Sequence, residues 1–192
     1  MVKFNTRAQM SSPFELLVAV IIMTFVIIIG TQMLGATQKG ICAASVDREL
    51  TKFKINIEST ANDRSANKFE FRPDNCYNES KAITKIQQFN TPAECGARCG
   101  IAGLNSCFVL FFYAPDLPGQ NIPPKCLNIS QYTTFIGQND SKCSTANQEL
   151  AGFNPIVPVG SSTDNIFPGT YALRNVSSAG ETYPSVCVFW RK

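Results

Sequence analysis

The strongest pattern in the chain is an uninterrupted apolar stretch close to its N-terminus. Nineteen residues, from Leu16 to Leu34, carry no charged side chain, and Glu15 lies immediately before them. In a helix that rises about 1.5 Å per residue, this stretch spans roughly 28 Å, close to the thickness of a bilayer's hydrocarbon core. The pattern therefore predicts a helix of transmembrane length at residues 16–34.

A narrower apolar stripe follows this stretch and predicts that the helix continues. Its members recur at spacings of three and four residues, which places them on one face of an α-helix. They are Ala43, Val46, Leu50, Phe53 and Ile57. No proline occurs between Pro13 and Pro73, so one long helix over 9–64 is permitted. The stripe packs either on the chain's own head or partly on neighbouring subunits, and both alternatives stay open.

After about residue 65 the pattern changes to that of short strands. Alternating or continuous apolar runs occur at 69–71, 82–89, 107–113, 132–136, 170–176 and 186–190. The run at 107–113 is apolar throughout, which is typical of a buried central strand. The predicted fold is therefore α+β, with a long N-terminal helix packed on an antiparallel sheet at 65–192.

The remaining parts of this region are predicted to be a short helix and loops. Thr91 and Glu94 form a capping-box pattern around Pro92, so a helix is expected to begin there. Residues 114–125 contain four prolines, and residues 137–169 are rich in Gly, Asn, Pro and Ser. Both segments are predicted to be surface loops.

Charge and cysteine content indicate that the chain crosses a membrane once. Lys3 and Arg7 precede the apolar stretch without any acidic residue, which places the N-terminus in the cytoplasm. All eight cysteines follow the stretch, on the oxidising outer side where disulfides form. They are Cys42, Cys76, Cys95, Cys99, Cys107, Cys126, Cys143 and Cys187. Their pairing is not readable from the sequence.

Four glycosylation sequons are compatible with an extracellular head. Their asparagines are Asn78, Asn128, Asn139 and Asn175. About two such sequons are expected by chance in a chain this rich in Asn, Ser and Thr, so the signal is weak.

Catalytic chemistry has little support in this sequence. The chain contains no histidine, which removes the usual general bases and the commonest catalytic zinc ligands. Neither a P-loop nor a basic stripe for nucleic acid is present. A four-sulfur metal site is an alternative for four of the cysteines, namely Cys95, Cys99, Cys107 and Cys126. Disulfides are favoured outside the cell, and no enzyme activity, cofactor or metal is predicted.

Residues 14–22, F-E-L-L-V-A-V-I-I, resemble the start of a type IV pilin helix. The segment from Arg7 to Gln9 is similar to an archaeal class III signal peptide, in which a basic and a small residue precede the cut and Gln follows it. This resemblance implies that a prepilin peptidase-like enzyme removes leader residues 1–8 between Ala8 and Gln9. Glu15 would then be the seventh mature residue, whereas the family usually has Glu at the fifth. A cut after Met10 restores the fifth position but lacks the preceding Gly or Ala.

The resemblance implies a structural subunit of a type IV pilus-like filament at the cell surface. Its N-terminal helices would leave the membrane and pack on other copies of the chain, while the disulfide-crosslinked heads form the outer surface. Glu15 would pair with the N-terminal amine of a neighbouring copy, in addition to capping its own helix with Ser12. No cofactor is implied.

Two other interpretations of the apolar stretch stay open. It could be a cleaved secretory signal, although it is longer than such signals and residues 35–37 match a cleavage site poorly. It could also be a plain anchor for an extracellular binding domain that never polymerises. The N-terminus of the mature protein distinguishes the three.

Overall fold

The computed structural model describes residues 12–73, 77–100, 103–117, 122–136, 140–147, 150–159 and 165–192. The chain divides into two compact units after Ile41. The described part of the first unit is helical throughout. The second unit holds the remainder of the long helix together with all the strands, and its architecture is α+β.

The secondary structure consists of three helices and eight strands within the described residues. The helices are α1 (Ser12–Asn62), α2 (Pro92–Cys99) and α3 (Ser141–Asn147). The first four strands are β1 (Ala66–Phe71), β2 (Ile83–Phe89), β3 (Cys107–Tyr113) and β4 (Lys125–Leu127). The other four are β5 (Thr134–Ile136), β6 (Asn154–Ile156), β7 (Gly169–Asn175) and β8 (Ser185–Arg191).

The strands form two sheets, where the sequence predicted one. In the larger sheet β7 lies between β1 and β8 and is antiparallel to both. The other edge of β8 pairs first with β5, in parallel, and then with β6, antiparallel. The smaller sheet has the order β2-β3-β4 and is antiparallel. The prediction of an apolar central strand at 107–113 is confirmed, because β3 lies between two partners.

The second half of α1 packs on both sheets and forms the main core. The predicted stripe is confirmed at Val46, Leu50, Phe53 and Ile57, which are all buried, whereas Ala43 is half-buried. These side chains contact apolar residues from both sheets: Phe69, Phe71, Ile86, Phe108, Leu110, Leu127, Tyr171, Leu173, Val186 and Val188. Of the two alternatives for the stripe, these contacts support packing on the chain's own head.

Side chains from several segments hold the C-terminal end of α1. Asn175 donates its amide to the carbonyls of Thr60 and Ala61, at 3.3 and 3.4 Å. The Asn67 amide donates to the Thr60 hydroxyl at 2.8 Å. The last carbonyls of a helix lack partners within the helix, so the two bonds from Asn175 satisfy groups that would otherwise be unpaired. Arg64 follows in the left-handed region with φ of 53°, which turns the chain into β1.

The capping box at α2 is confirmed in a modified form. The Thr91 hydroxyl accepts a bond from the Glu94 amide at 3.3 Å and donates to the Glu94 carboxylate at 2.7 Å. The helix ends at Gly100, whose φ of 67° is left-handed. On the sheet side, Arg98 lies over the Phe89 ring at 4.5 Å.

The prediction that 137–169 is entirely loop was wrong. Helix α3 lies in this segment, and its first turn is held by Asp140, whose carboxylate accepts the Lys142 amide at 2.8 Å. Strand β6 also lies there, with Pro155 at the edge of the sheet. Proline is tolerated at an edge because no further strand needs its missing donor. Strand β4 likewise begins at Lys125, inside the predicted loop 114–125.

Candidate functional site

The candidate functional site is the N-terminal apolar surface, which we define as the side chains of residues 14–34. Fifteen large apolar side chains between Phe14 and Leu34 are exposed, and they occupy all sides of the helix. A helix that is apolar on all sides is typical of a membrane span or of the core of an assembly. Its length and composition fit a span, although a signal sequence near an N-terminus shares both properties.

The threonines within this surface have their hydroxyls satisfied by the helix itself. Thr24 donates to the carbonyl of Val20 at 2.7 Å, and Thr31 donates to the carbonyl of Ile28 at 2.9 Å. An unpaired hydroxyl would be costly in lipid or between packed helices. These bonds therefore remove the cost of placing the two hydroxyls in surroundings that exclude water.

Glu15 lies in the first turn of α1 and is exposed. It has no ion pair within the part of the chain that the structure describes. The positive end of the helix dipole favours a carboxylate at this position, but it does not neutralise the charge. The predicted processing residues, Ala8 and Gln9, lie outside the described residues.

Disulfides crosslink the elements of the second unit. The described bridges are Cys95–Cys107, Cys99–Cys126 and Cys143–Cys187. Cys42 is also disulfide-bonded, whereas Cys76 lies outside the described residues. The four cysteines considered for a metal site are therefore the members of the first two bridges.

The bridges attach the two short helices to the sheets. Cys95 and Cys99 lie one turn apart on α2, as predicted, and bind it to β3 and β4. Cys143 binds α3 to β8. A disulfide typically stabilises a small extracellular domain by about 2–4 kcal/mol. Helices of seven and eight residues are too short to be stable alone, so we attribute their formation largely to these crosslinks.

The predicted sequons lie in different environments. Asn78 and Asn128 are exposed, and Asn139 is outside the described residues. The side-chain Oδ1 of Asn78 accepts from both the amide and the hydroxyl of Ser80, at 3.1 and 2.7 Å. Asn175 is half-buried, and its amide nitrogen is occupied by the carbonyls at the end of α1. A glycan on Asn175 would therefore compete with the contacts that end the helix.

A half-buried tyrosine, a buried tyrosine and a surface carboxylate have shifted pKa values, each with a local cause. Burial raises the pKa of Tyr77, and the charge of Glu79 raises it further. Burial also raises the pKa of Tyr171, although the hydroxyl's bond to the Phe167 carbonyl opposes this shift. Neither phenol ionises at neutral pH; Tyr171 belongs to the core and Tyr77 packs against it.

The carboxylate with a lowered pKa is Glu181, which joins α3 to the turn before β8. The hydrogen bond from Lys142 at 2.6 Å is the main cause, and the Ser178 amide adds to it. A folded-state pKa below the unfolded value means that this contact stabilises the fold at neutral pH. The contribution is lost as the pH falls through the lowered pKa.

Within the described residues, no cluster of three or more Cys, Asp or Glu side chains is arranged to hold a metal ion. The features that stand out are the N-terminal apolar surface, Glu15 at its start and a disulfide-crosslinked α+β unit.

No protein-family model, curated protein or solved structure matches this chain.

Proposed function

We propose that this chain is a non-catalytic structural subunit of a type IV pilus-like extracellular filament. The observation that carries the proposal is the N-terminal apolar surface, which is exposed on all sides. The threonine hydroxyls within it already bond to the helix backbone. In an aqueous environment such a surface must be shielded from the solvent. Lipid covers it before assembly, and the same surface of neighbouring copies covers it in the filament.

The free-energy balance assigns different roles to the apolar surface and to Glu15. Covering apolar area contributes about 25 cal/mol per Å² relative to water. Relative to lipid, which is equally apolar, the gain is far smaller, so hydrophobicity alone does not select the filament over the membrane. Helix packing and the neutralisation of Glu15 must supply the free energy that favours the filament over the membrane.

Removal of the leader would create the partner that Glu15 lacks. A cut between Ala8 and Gln9 exposes a new α-amino group, positively charged near neutral pH, six residues before Glu15 in the sequence. In a staggered assembly the amine of one copy lies beside Glu15 of the next. A charged group costs about 2.5–3.5 kcal/mol at the centre of a membrane helix and less near its end, where Glu15 lies, and pairing removes part of this cost.

The N-terminus of the mature protein tests this proposal. Intact-mass measurement of the protein from its native cells should give a chain that begins at Gln9, or at Ser11 for the alternative cut, and that retains residues 16–34. A chain that begins at Met1 would contradict processing and would support a monomeric membrane-anchored binding domain. A chain that begins near Thr37 would support ordinary secretion and would also contradict the proposal.

A further inference from the structure

A polar pocket of about 400 Å³ lies on the second unit, where strand β5 of the larger sheet meets the smaller sheet. Its polar lining comes from Gln88 on β2 and from the residues 131–134 that lead into β5. Phe108 and Phe135, packed edge to face at 5.7 Å, contribute apolar lining. This volume is within the range of about 300–1,000 Å³ that small-molecule sites occupy.

The polar groups of this pocket are amides and hydroxyls, and none of its described lining residues is charged. The Gln88 amide donates to Ser106 at 3.0 Å, which fixes its orientation. In the described structure the side chain of Gln131 forms no hydrogen bond, so its donor and acceptor remain available to a ligand. A phosphate or a carboxylate would find no cation here, whereas a neutral polyhydroxyl compound finds both donors and acceptors.

Thr133 contributes a buried polar group to the lining of the pocket. The residue is 5% exposed and its hydroxyl has no hydrogen-bond partner within the described structure. A buried hydroxyl without a partner costs about 1–3 kcal/mol. The hydroxyl oxygen is covered in this rotamer, so a rotation about the Cα–Cβ bond is needed before it can pair with a ligand hydroxyl in the pocket.

An exposed aromatic pair borders the pocket. Tyr132, which lines it, and Tyr183 have ring centroids 4.4 Å apart, and their exposed fractions are 55% and 47%. Large aromatic side chains exposed together on a surface commonly mark a binding site. The apolar face of a sugar ring stacks on such rings while its hydroxyls reach the amides.

The loop that carries these groups is held in place by backbone contacts. The amide of Tyr132 donates to the Ser130 hydroxyl at 3.3 Å, and the amide of Thr133 donates to the Ser130 carbonyl at 2.9 Å. The Thr134 amide donates to the Pro184 carbonyl at 3.0 Å, next to Tyr183. A site that is already ordered loses less entropy when it binds a ligand.

We infer that this pocket binds a neutral sugar residue of a surface glycan through Tyr132, Gln131 and Thr133. The inference concerns what the second unit recognises and does not depend on whether the chain polymerises. It adds a binding activity to a chain whose N-terminal helix we assign to assembly.

The test uses the full chain in a zwitterionic detergent, because detergents with sugar headgroups would compete. Binding of neutral hexoses, N-acetylhexosamines and their disaccharides is measured by saturation-transfer NMR and by titration. We expect at least one of them to bind saturably in the millimolar range. Adding a sialic acid or a sulfate to that sugar should not increase the affinity, because no cation lines the pocket.

Three substitutions locate the binding. Tyr132→Ala should lower the affinity about tenfold, which is the loss expected when one stacked aromatic ring and its buried area are removed. Gln131→Ala should also lower the affinity. Thr133→Val removes only the unpartnered hydroxyl, so it should weaken binding several-fold while the midpoint of unfolding stays equal or rises. The matched control is Tyr113→Ala, which removes an exposed tyrosine from β3, outside the pocket lining, and should leave binding unchanged.

Several outcomes would overturn the inference. One is that no neutral sugar in the panel binds saturably. Another is that a sugar binds with equal affinity to the parent chain and to the Tyr132→Ala and Gln131→Ala variants. Saturable binding of a proline-rich peptide, lost in Tyr132→Ala while no sugar binds, would assign the pocket to peptides instead.

Discussion

Replacing Glu15 with glutamine should abolish surface filaments and leave the second unit folded. Glutamine has nearly the same shape as glutamate but cannot pair with the N-terminal amine of a neighbouring copy. Because the substitution removes a charge at the edge of the apolar surface, insertion into the membrane becomes easier. Loss of filaments would therefore indicate a defect in assembly. The measurement is a count of filaments by electron microscopy, with immunoblotting of the membrane fraction to verify equal amounts of protein.

The matched control for this experiment is Glu79→Gln. Glu79 is an exposed carboxylate of the second unit without an ion pair in the described structure. This variant should form filaments in normal numbers. Normal filaments from Glu15→Gln would contradict an intermolecular role for Glu15 and would leave it with helix capping alone.

Replacing Phe53 with alanine should cause the largest loss of stability among single substitutions in the second half of α1. Phe53 is fully buried and packs edge to face on Phe69, Phe71 and Tyr171, at 5.1, 5.5 and 5.0 Å. Truncation of a buried aromatic residue typically costs about 3–5 kcal/mol, because contacts are lost and a cavity remains. The measurement is denaturant unfolding of the full chain in detergent, with its disulfides intact and Trp190 fluorescence as the signal.

Ile55→Ala is the control for Phe53→Ala. Ile55 lies two residues further along the same helix and is 57% exposed. Its truncation should change the free energy of unfolding by less than about 1 kcal/mol. Equal unfolding midpoints for the two variants would contradict the assignment of Phe53 to the core.

The helical part of the structure was predictable because its pattern is local. The stripe from Val46 to Ile57 follows the 3.6-residue period of a helix, and each of its large members is buried as predicted. The apolar stretch is evident from composition alone. The ion pair between Lys54 and Glu58, at 3.7 Å, also follows from the same periodicity.

The arrangement of the sheets was not predictable, because it depends on contacts between distant segments. Strands β4, β5 and β6 have three residues each, too few for a clear alternation of apolar and polar side chains. Strands β2, β3 and β4 pair with one another in a sheet of their own, and β5 pairs in parallel with β8 in the other sheet. No local signal encodes either arrangement. Helix α3 depends on the bridge from Cys143 to Cys187, which joins residues 44 positions apart.

The pocket is a further feature that sequence patterns could not give. Gln88, Gln131 and Tyr183 are far apart in the chain, and the meeting of β5 with the smaller sheet brings their segments together. No sequence motif marks a glutamine or a threonine as a ligand contact, because both are also common on solvated surfaces. By contrast, Glu15 was identifiable because a carboxylate beside nineteen uncharged residues is unusual.

Electron cryomicroscopy of material sheared from the cell surface tests the central claim most directly. We expect helical filaments in which residues 16–34 of neighbouring copies pack together along the axis, with Glu15 of each copy beside the N-terminal amine of another. Recovery of this protein only as detergent-extracted monomers that still carry residues 1–8 would contradict the claim.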